Sequence, residues 1–286
     1  MELNHFIQIG LPVSLAFIML SLGLTIRLDT FVQQISAPRA TLVGLFAQLL
    51  LVPVLALAVV FIFSMPPALA AGLMILSFCP GGVTSNWFSH MARANVPLSI
   101  SLTVIASLIT PFTIPLLSEF TLQLLMDDQR AVHIPLGLTI MRLFIISVIP
   151  VVVGIFIRTR FEDLGSRLQP FVYRFSTSLF LCVIAAIIMQ QWPRLPGFLA
   201  QSGLASMALI LAGIGTGILL ARVSQLTRRD THTVAIEVGM QNGGMALVVT
   251  QNVLQSPVLS IVPVIYGLIM LVPIYLYSRY ARAQSV

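Results

Sequence analysis

Nine predominantly apolar stretches of 20 residues or more, each bounded by Pro, Gly or charge, divide this 286-residue chain. They run approximately over 6–26, 38–63, 67–91, 97–126, 134–158, 170–191, 201–222, 231–254 and 257–281. A helix needs about 20 such residues to cross the hydrocarbon core of a bilayer, so each stretch is long enough to span it. Composition agrees: 8% of residues are charged and the mean hydropathy is +1.01, whereas a soluble domain carries about 25% charged residues. This chain cannot cover a water-facing surface, and it is far too apolar for disorder. The reading is an all-α integral membrane protein of nine transmembrane helices, with the lipid bilayer as its surroundings and no sizeable domain outside it.

The few charges set an orientation. All 15 basic residues are Arg, against nine acidic ones. Alternate loops and the C-terminal tail collect Arg27, Arg39, Arg93, Arg158, Arg160, Arg167, Arg174, Arg222, Arg228, Arg229, Arg279 and Arg282. The opposite loops hold Arg130 and Arg194, with Arg142 just inside a span. Cytoplasmic loops concentrate Arg, which predicts an outside N-terminus, a cytoplasmic C-terminus and the cell inner (cytoplasmic) membrane as the location. The same distribution argues against nucleic acid as a partner. Glu2 and His5 replace the basic opening of a signal peptide, so the first apolar run is expected to stay as a span. Cys79 and Cys182 form no CxxC or disulfide-like pattern.

Two spans are interrupted at their centres. The third contains Cys79-Pro80-Gly81-Gly82-Val83-Thr84-Ser85-Asn86 and the eighth Glu237-Val238-Gly239-Met240-Gln241-Asn242-Gly243-Gly244. Non-helical backbone at that depth is tolerated only against protein or a water-filled cavity. The two spans are five apart and therefore run in opposite directions, and each is followed by a similar restart, Pro97-Leu98-Ser99 and Pro257-Val258-Leu259-Ser260. This pattern predicts an inverted-topology repeat of four plus five helices, residues 1–126 and 127–286, with the two broken helices crossing near mid-membrane.

Of the nine acidic residues only Glu237 sits near mid-membrane. A carboxylate there costs several kcal/mol unless compensated, and no Lys exists and no Arg lies at its depth. A metal cation, a proton, or a neutral carboxyl that staples two helices by hydrogen bonds would each answer this. Hard oxygen donors surround it in the sequence: Ser99 and Thr103 at i, i+4 on one helix face, Glu237 and Gln241 at the same spacing, and Ser85 and Asn86 just past the first glycine pair. Hydroxyls in apolar helices also commonly bond their own backbone, so spacing alone leaves both uses open. Trp87 would shape a cavity or fill a helix interface, His90 reads as interfacial, and Arg142 would snorkel outward or face the crossing. Half-helices beginning near Val83 and Gly243 aim their amides at that crossing and favour an anionic guest. No HExxH, no buried Asp pair and no GxSG serine with a buried His supports intramembrane catalysis. Two breaks meeting at one compact site suit occlusion better than a continuous pore.

The strings at 79–86 and 237–244 resemble the two crossover motifs of the bile acid:sodium symporter family, and Leu20-Ser21-Leu22-Gly23-Leu24-Thr25 is similar to that family's Gly-x-Gly-Leu-Thr stretch. The resemblance extends over essentially the whole chain from residue 6, with the first family helix missing. It implies a core domain over roughly 38–126 and 201–281 and a panel domain over 6–26 and 134–191. It also implies secondary active transport, a sodium-coupled symport of an organic anion by alternating access with two Na⁺ ions. One ion would use Ser85, Asn86, Ser99, Thr103 and Glu237. The second would use Gln48, the side chains of Glu237 and Gln241, and backbone oxygens of Val238 and Met240. Thr84, Asn242, Gly243 and Gly244 would meet the anion, a bile acid or a small carboxylate such as pantoate or pyruvate. Proton coupling on the same fold is the alternative, with a channel or a non-transporting receptor further off. Neither the particular anion nor the oligomeric state is written in these motifs.

Overall fold

Prolines and helix length account for most of the architecture. The computed structural model describes residues 2–36, 38–126 and 135–284, and it is helical, with no strand among those residues. Seven helices are long and apolar enough to cross a membrane: α1 (Glu2–Thr25), α3 (Pro38–Ile62), α6 (Val96–Leu125), α7 (Leu136–Arg160), α8 (Glu162–Gln191), α9 (Leu195–Val223) and α12 (Ile261–Ala283). Between them lie the shorter α2 (Leu28–Ser36), α4 (Pro67–Ser77), α5 (Val83–Met91), α10 (Arg228–Gly239) and α11 (Gly243–Leu247), the last prolonged by a wide π-helical stretch over Val248–Val253. The stretches 67–91 and 231–254 are thus each divided in two, and none of the pieces crosses a roughly 30 Å core alone at about 1.5 Å per residue.

Two π-helical turns interrupt long helices, Ala47–Leu51 in α3 and Phe144–Val148 in α7. Pro53 and Pro150 each stand two residues beyond the end of the turn. A proline ring clashes with the carbonyl four residues back and brings no N–H, and a wider turn relieves both problems. The turn in α3 carries Gln48.

Several boundaries differ from the sequence reading. The helix expected over 170–191 begins at Glu162, because Glu162 and Asp163 favour a first turn beyond the apolar run. The stretch after the first span, read as a loop, contains α2, whose Leu28, Phe31 and Val32 share one face. Arg130 and residue 134 lie outside the described residues.

Packing divides into two groups of neighbours. Helices α1, α7 and α8 pack on one another, while α3, α6, α9 and α12 enclose the two broken segments, α4–α5 and α10–α11. Large apolar side chains such as Phe61, Leu116, Phe171 and Leu211 face outward, as lipid requires. Inside, glycines let backbones touch. A Cβ on Gly23 in α1 would run into the Val151 carbonyl of α7, and one on Gly154 would lie 2.8 Å from the Gly23 Cα. In α9, Gly213 and Gly217, four residues apart, meet α10 backbone at Val238 and Ala235, the close approach that small-xxx-small spacing allows.

Backbone cannot yield as a side chain can, which gives a prediction. Gly23→Val should destabilise the protein by about 2 kcal/mol or more, whereas Gly137→Val, where a Cβ meets nothing within 4 Å, should be far milder. Thermal unfolding midpoints in detergent check the pair, and equal midpoints would refute the backbone contact.

Candidate functional site

The first break follows from residue chemistry. Pro80 offers no N–H and disfavours helical backbone at Cys79, so α4 ends at Ser77 and the chain turns extended at Gly82 (φ −97°, ψ 157°). The second break has no proline. Helix α10 ends at Gly239, Met240 is extended (φ −113°, ψ 135°), and the Asn242 side chain caps α11 by accepting from the Met245 amide at 3.0 Å. Tyr266 on α12 donates to the buried Gly239 carbonyl at 3.2 Å.

The two breaks satisfy each other. The Asn242 amide donates to the Pro80 carbonyl at 2.8 Å. Gln48, carried inward on the wide turn of α3, donates through Nε2 to the Cys79 carbonyl at 3.1 Å and to Gln241 Oε1 at 2.8 Å. Gln241 in turn donates to the Val238 carbonyl at 3.3 Å. One side chain therefore holds both breaks from a third helix.

Glu237, in the last turn of α10, is 1% exposed. Its Oε2 accepts from Ser85 Oγ at 2.6 Å and Ser99 Oγ at 2.9 Å, and its Oε1 from Thr103 Oγ1 at 2.5 Å. Among the described residues no cationic side chain pairs with it. Hydrogen bonds to a charged group contribute roughly 1.5–3 kcal/mol each, so three of them are of the same order as the several-kcal/mol desolvation of a buried carboxylate. Gly81 supplies the space for the carboxylate: a Cβ there would fall on Glu237 Oε1.

The remaining expected residues are distributed less evenly. Asn86 is buried beside this group, but neither of its side-chain polar atoms has a partner; Gln48 Oε1 and Asn242 Nδ2 are likewise buried and unpartnered. Buried polar atoms nearly always find partners, and exceptions deserve a reason. No hydrogen bond joins the Glu237 carboxylate directly to Gln48 or Gln241, which bond each other and the Cys79 and Val238 carbonyls. The Met240 amide donates to the Glu237 carbonyl at 3.2 Å. The Val238 carbonyl lies against Gly213.

Of the residues expected to meet an anion, Thr84 lines a cavity. That cavity, about 550 Å³, is bounded by Thr84, Trp87 and Phe88 of α5, Tyr173 of α8, and Leu271, Val272 and Tyr275 of α12. Gly243 and Gly244 open α11, and Phe180 of α8 covers Gly244, 3.3 Å from where a Cβ would stand. Trp87, 54% exposed, is part of the cavity wall rather than a filler between helices. His90 and Arg142 are exposed. Sequence reasoning passed over Gly81, Gly213, Tyr173, Phe180 and Tyr266. The Gly213-x-x-x-Gly217 spacing was a readable signal for one of them, but nothing in the apolar run of α8 marks Tyr173 or Phe180. Among the described residues no three of His, Cys, Asp and Glu converge, so the donors here are hydroxyl, amide and carboxylate oxygens, which suit hard cations.

Residues 12–195 match the model of the Sodium Bile acid symporter family, well over half of the chain. The chain belongs to the sodium bile acid symporter family. Members of this family are transporters, not enzymes. The matched segment includes the first break and ends before the second. The chain is 25% identical over 248 residues to an uncharacterized sodium-dependent transporter of Bacillus subtilis, YocS, covering 85% of this chain and 74% of that one. It is 28% identical over 250 residues to the probable chloroplastic sodium/metabolite cotransporter BASS1 of Arabidopsis thaliana (87% and 61%). With human sodium/bile acid cotransporter 4 it shares 27% over 245 residues (84% and 55%). It therefore spans about three quarters of the first of these relatives and just over half of the other two.

The glycine pair gives a sharp test. Gly81→Ala should push the Glu237 carboxylate off its hydroxyls and lower stability by about 2 kcal/mol, because its Cβ falls on that oxygen. Gly82→Ala, whose Cβ has nothing nearer than 3.9 Å, should shift the midpoint by about 0.5 kcal/mol or less. Thermal melts of the two variants in detergent distinguish these outcomes.

Proposed function

We propose that this protein is a secondary active transporter that couples entry of an organic anion to sodium by alternating access. The observation that carries the reading is Glu237, a buried carboxylate in contact with three hydroxyls and, among the described residues, with no cationic side chain, at the junction of two helix breaks. Sodium dependence in the printed names of the bacterial and plant relatives supports the same reading.

In this proposal the chain crosses the membrane nine times, with α4–α5 and α10–α11 as the third and eighth crossings, related as an inverted repeat of four plus five. The panel comprises α1, α7 and α8, and the core the remaining spans, a division favoured by which helices pack together. The arginine distribution favours an outside N-terminus and a cytoplasmic C-terminus in an inner membrane.

Two Na⁺ ions are the coupling cargo. The first would sit among Ser85, Asn86, Ser99, Thr103 and Glu237. A hydroxyl both donates and accepts. Ser99 donates to Glu237, while the single protons of Ser85 and Thr103 lie between Glu237 and the backbone carbonyls of Gly82 (2.6 Å) and Ser99 (3.1 Å), so all three hydroxyls would turn lone pairs toward a cation. Asn86, whose buried oxygen has no partner, would complete the set. The second ion would use Gln48, whose Oε1 is also unpartnered, with Gln241, Glu237 and the backbone oxygens of Val238 and Met240. An organic anion would meet Thr84 from the cavity side, and Asn242, Gly243 and Gly244 once core and panel have moved relative to each other. A space of about 550 Å³ admits a small carboxylate or a bulkier anion such as a bile acid.

The test is uptake by proteoliposomes of a panel of carboxylates, chosen first by sodium-dependent thermal stabilisation, since a ligand bound only to the folded state raises its stability. Uptake should require an inward sodium gradient, stop when choline replaces sodium at fixed pH, and be abolished in Glu237→Ala while that variant still purifies folded. Undiminished uptake in choline driven by a proton gradient would overturn sodium coupling in favour of the proton-coupled alternative.

A further inference from the structure

A second cluster of polar groups lies apart from the crossing, at the membrane surface on the arginine-rich side. Arg93, in the turn that ends α5, and Arg279 and Arg282, near the end of α12, converge with Ala283 around a cavity of about 400 Å³. The two elements are far apart in sequence, so the convergence is a product of the fold and not of one basic run. Among the described residues no carboxylate pairs with any of the three guanidinium groups; Arg279 donates only to the Tyr275 hydroxyl, at 3.4 Å. Three cations facing one space repel one another unless an anion enters it.

We propose that this cavity binds the headgroup of an anionic glycerophospholipid. Depth and neighbours favour a lipid over a soluble anion. The arginines occupy the end of a spanning helix, where headgroups lie, and basic pockets between helices on that side of a membrane suit such headgroups. On the adjoining face of α12, Leu276 and Tyr280, spaced by four residues, are 61% and 56% exposed. They form an apolar patch beside the arginines, against which the start of an acyl chain lies while its phosphate meets the guanidinium groups. Arg prefers such sites because its planar fork matches phosphate oxygens.

The backbone supplies a control. Arg93 has φ 53° in a Schellman turn closed by the Ala94 amide to the Ser89 carbonyl at 3.0 Å, a left-handed position that glycine occupies with less strain. Arg93→Gly thus removes a charge without damaging the helix end.

The experiment uses the purified, delipidated full chain in detergent, titrated with phosphatidylglycerol or phosphatidylcholine of identical acyl chains and read by native mass spectrometry and thermal midpoint. The wild type should retain phosphatidylglycerol in preference and gain a higher midpoint from it. Arg93→Gly and the double variant Arg279→Gln/Arg282→Gln should lose that preference, roughly fivefold for each guanidinium removed, with phosphatidylcholine binding unchanged. Arg93→Gly should melt no lower than the wild type in lipid-free detergent. Equal retention of the two lipids, or undiminished phosphatidylglycerol retention in both variants, would overturn the proposal. So would displacement of the lipid by inorganic phosphate but not by chloride at equal ionic strength, which is the mark of a soluble-anion site.

Discussion

A helix broken inside a membrane exposes amides and carbonyls that lipid cannot satisfy, and in this protein each break answers the other. The Asn242 amide bonds the Pro80 carbonyl, and Gln48 reaches from α3 to the Cys79 carbonyl and the Gln241 side chain at once. Tyr266 and the Asn242 cap account for further groups at the ends of α10 and α11. Three side chains at the crossing keep buried polar atoms without a partner, Asn86, Gln48 Oε1 and Asn242 Nδ2, an arrangement suited to a guest that arrives and leaves.

Close approach makes this possible. Gly81 admits the Glu237 carboxylate, and Gly213 and Gly217 let α9 press against α10 on the opposite side. A larger residue at either place separates the elements that the hydrogen bonds must join. The prolines contribute by position as well: Pro53 follows the widened turn that carries Gln48, so helix irregularity and the polar bridge arise from the same few residues.

Much of this was legible in the sequence because a membrane makes polarity scarce. Glu237 stood out as the one acidic residue at mid-depth, the i, i+4 spacing of Ser99 and Thr103 put both hydroxyls on one face, and Pro80 with its glycines marked the first break. Other features had no such signal. The contact between Gly81 and Glu237 joins residues 156 positions apart, and any glycine in a break reads alike whether its hydrogen faces a carboxylate or open space, as Gly81 and Gly82 do. Tyr173 and Phe180 lie in a run whose apolar character fits lipid and cavity equally. The short α2 was readable from its amphipathic spacing, but between two long spans the apolar count overshadowed it.

The geometry also bears on how a cation and an anion could be coupled in the proposed cycle. Thr84 and Ser85 are consecutive in the first turn of α5, yet Thr84 faces the cavity while Ser85 donates to Glu237. Neighbours on a helix point about 100° apart, so one rigid turn presents one residue to each compartment. Any shift of Ser85 when Glu237 changes its partners must move Thr84 with it, because a single peptide unit joins them and the following turn is already helical. Coupling in that picture needs no long pathway: differential binding at one end of the turn is felt directly at the other, and by linkage an anion at Thr84 would favour the cation in return.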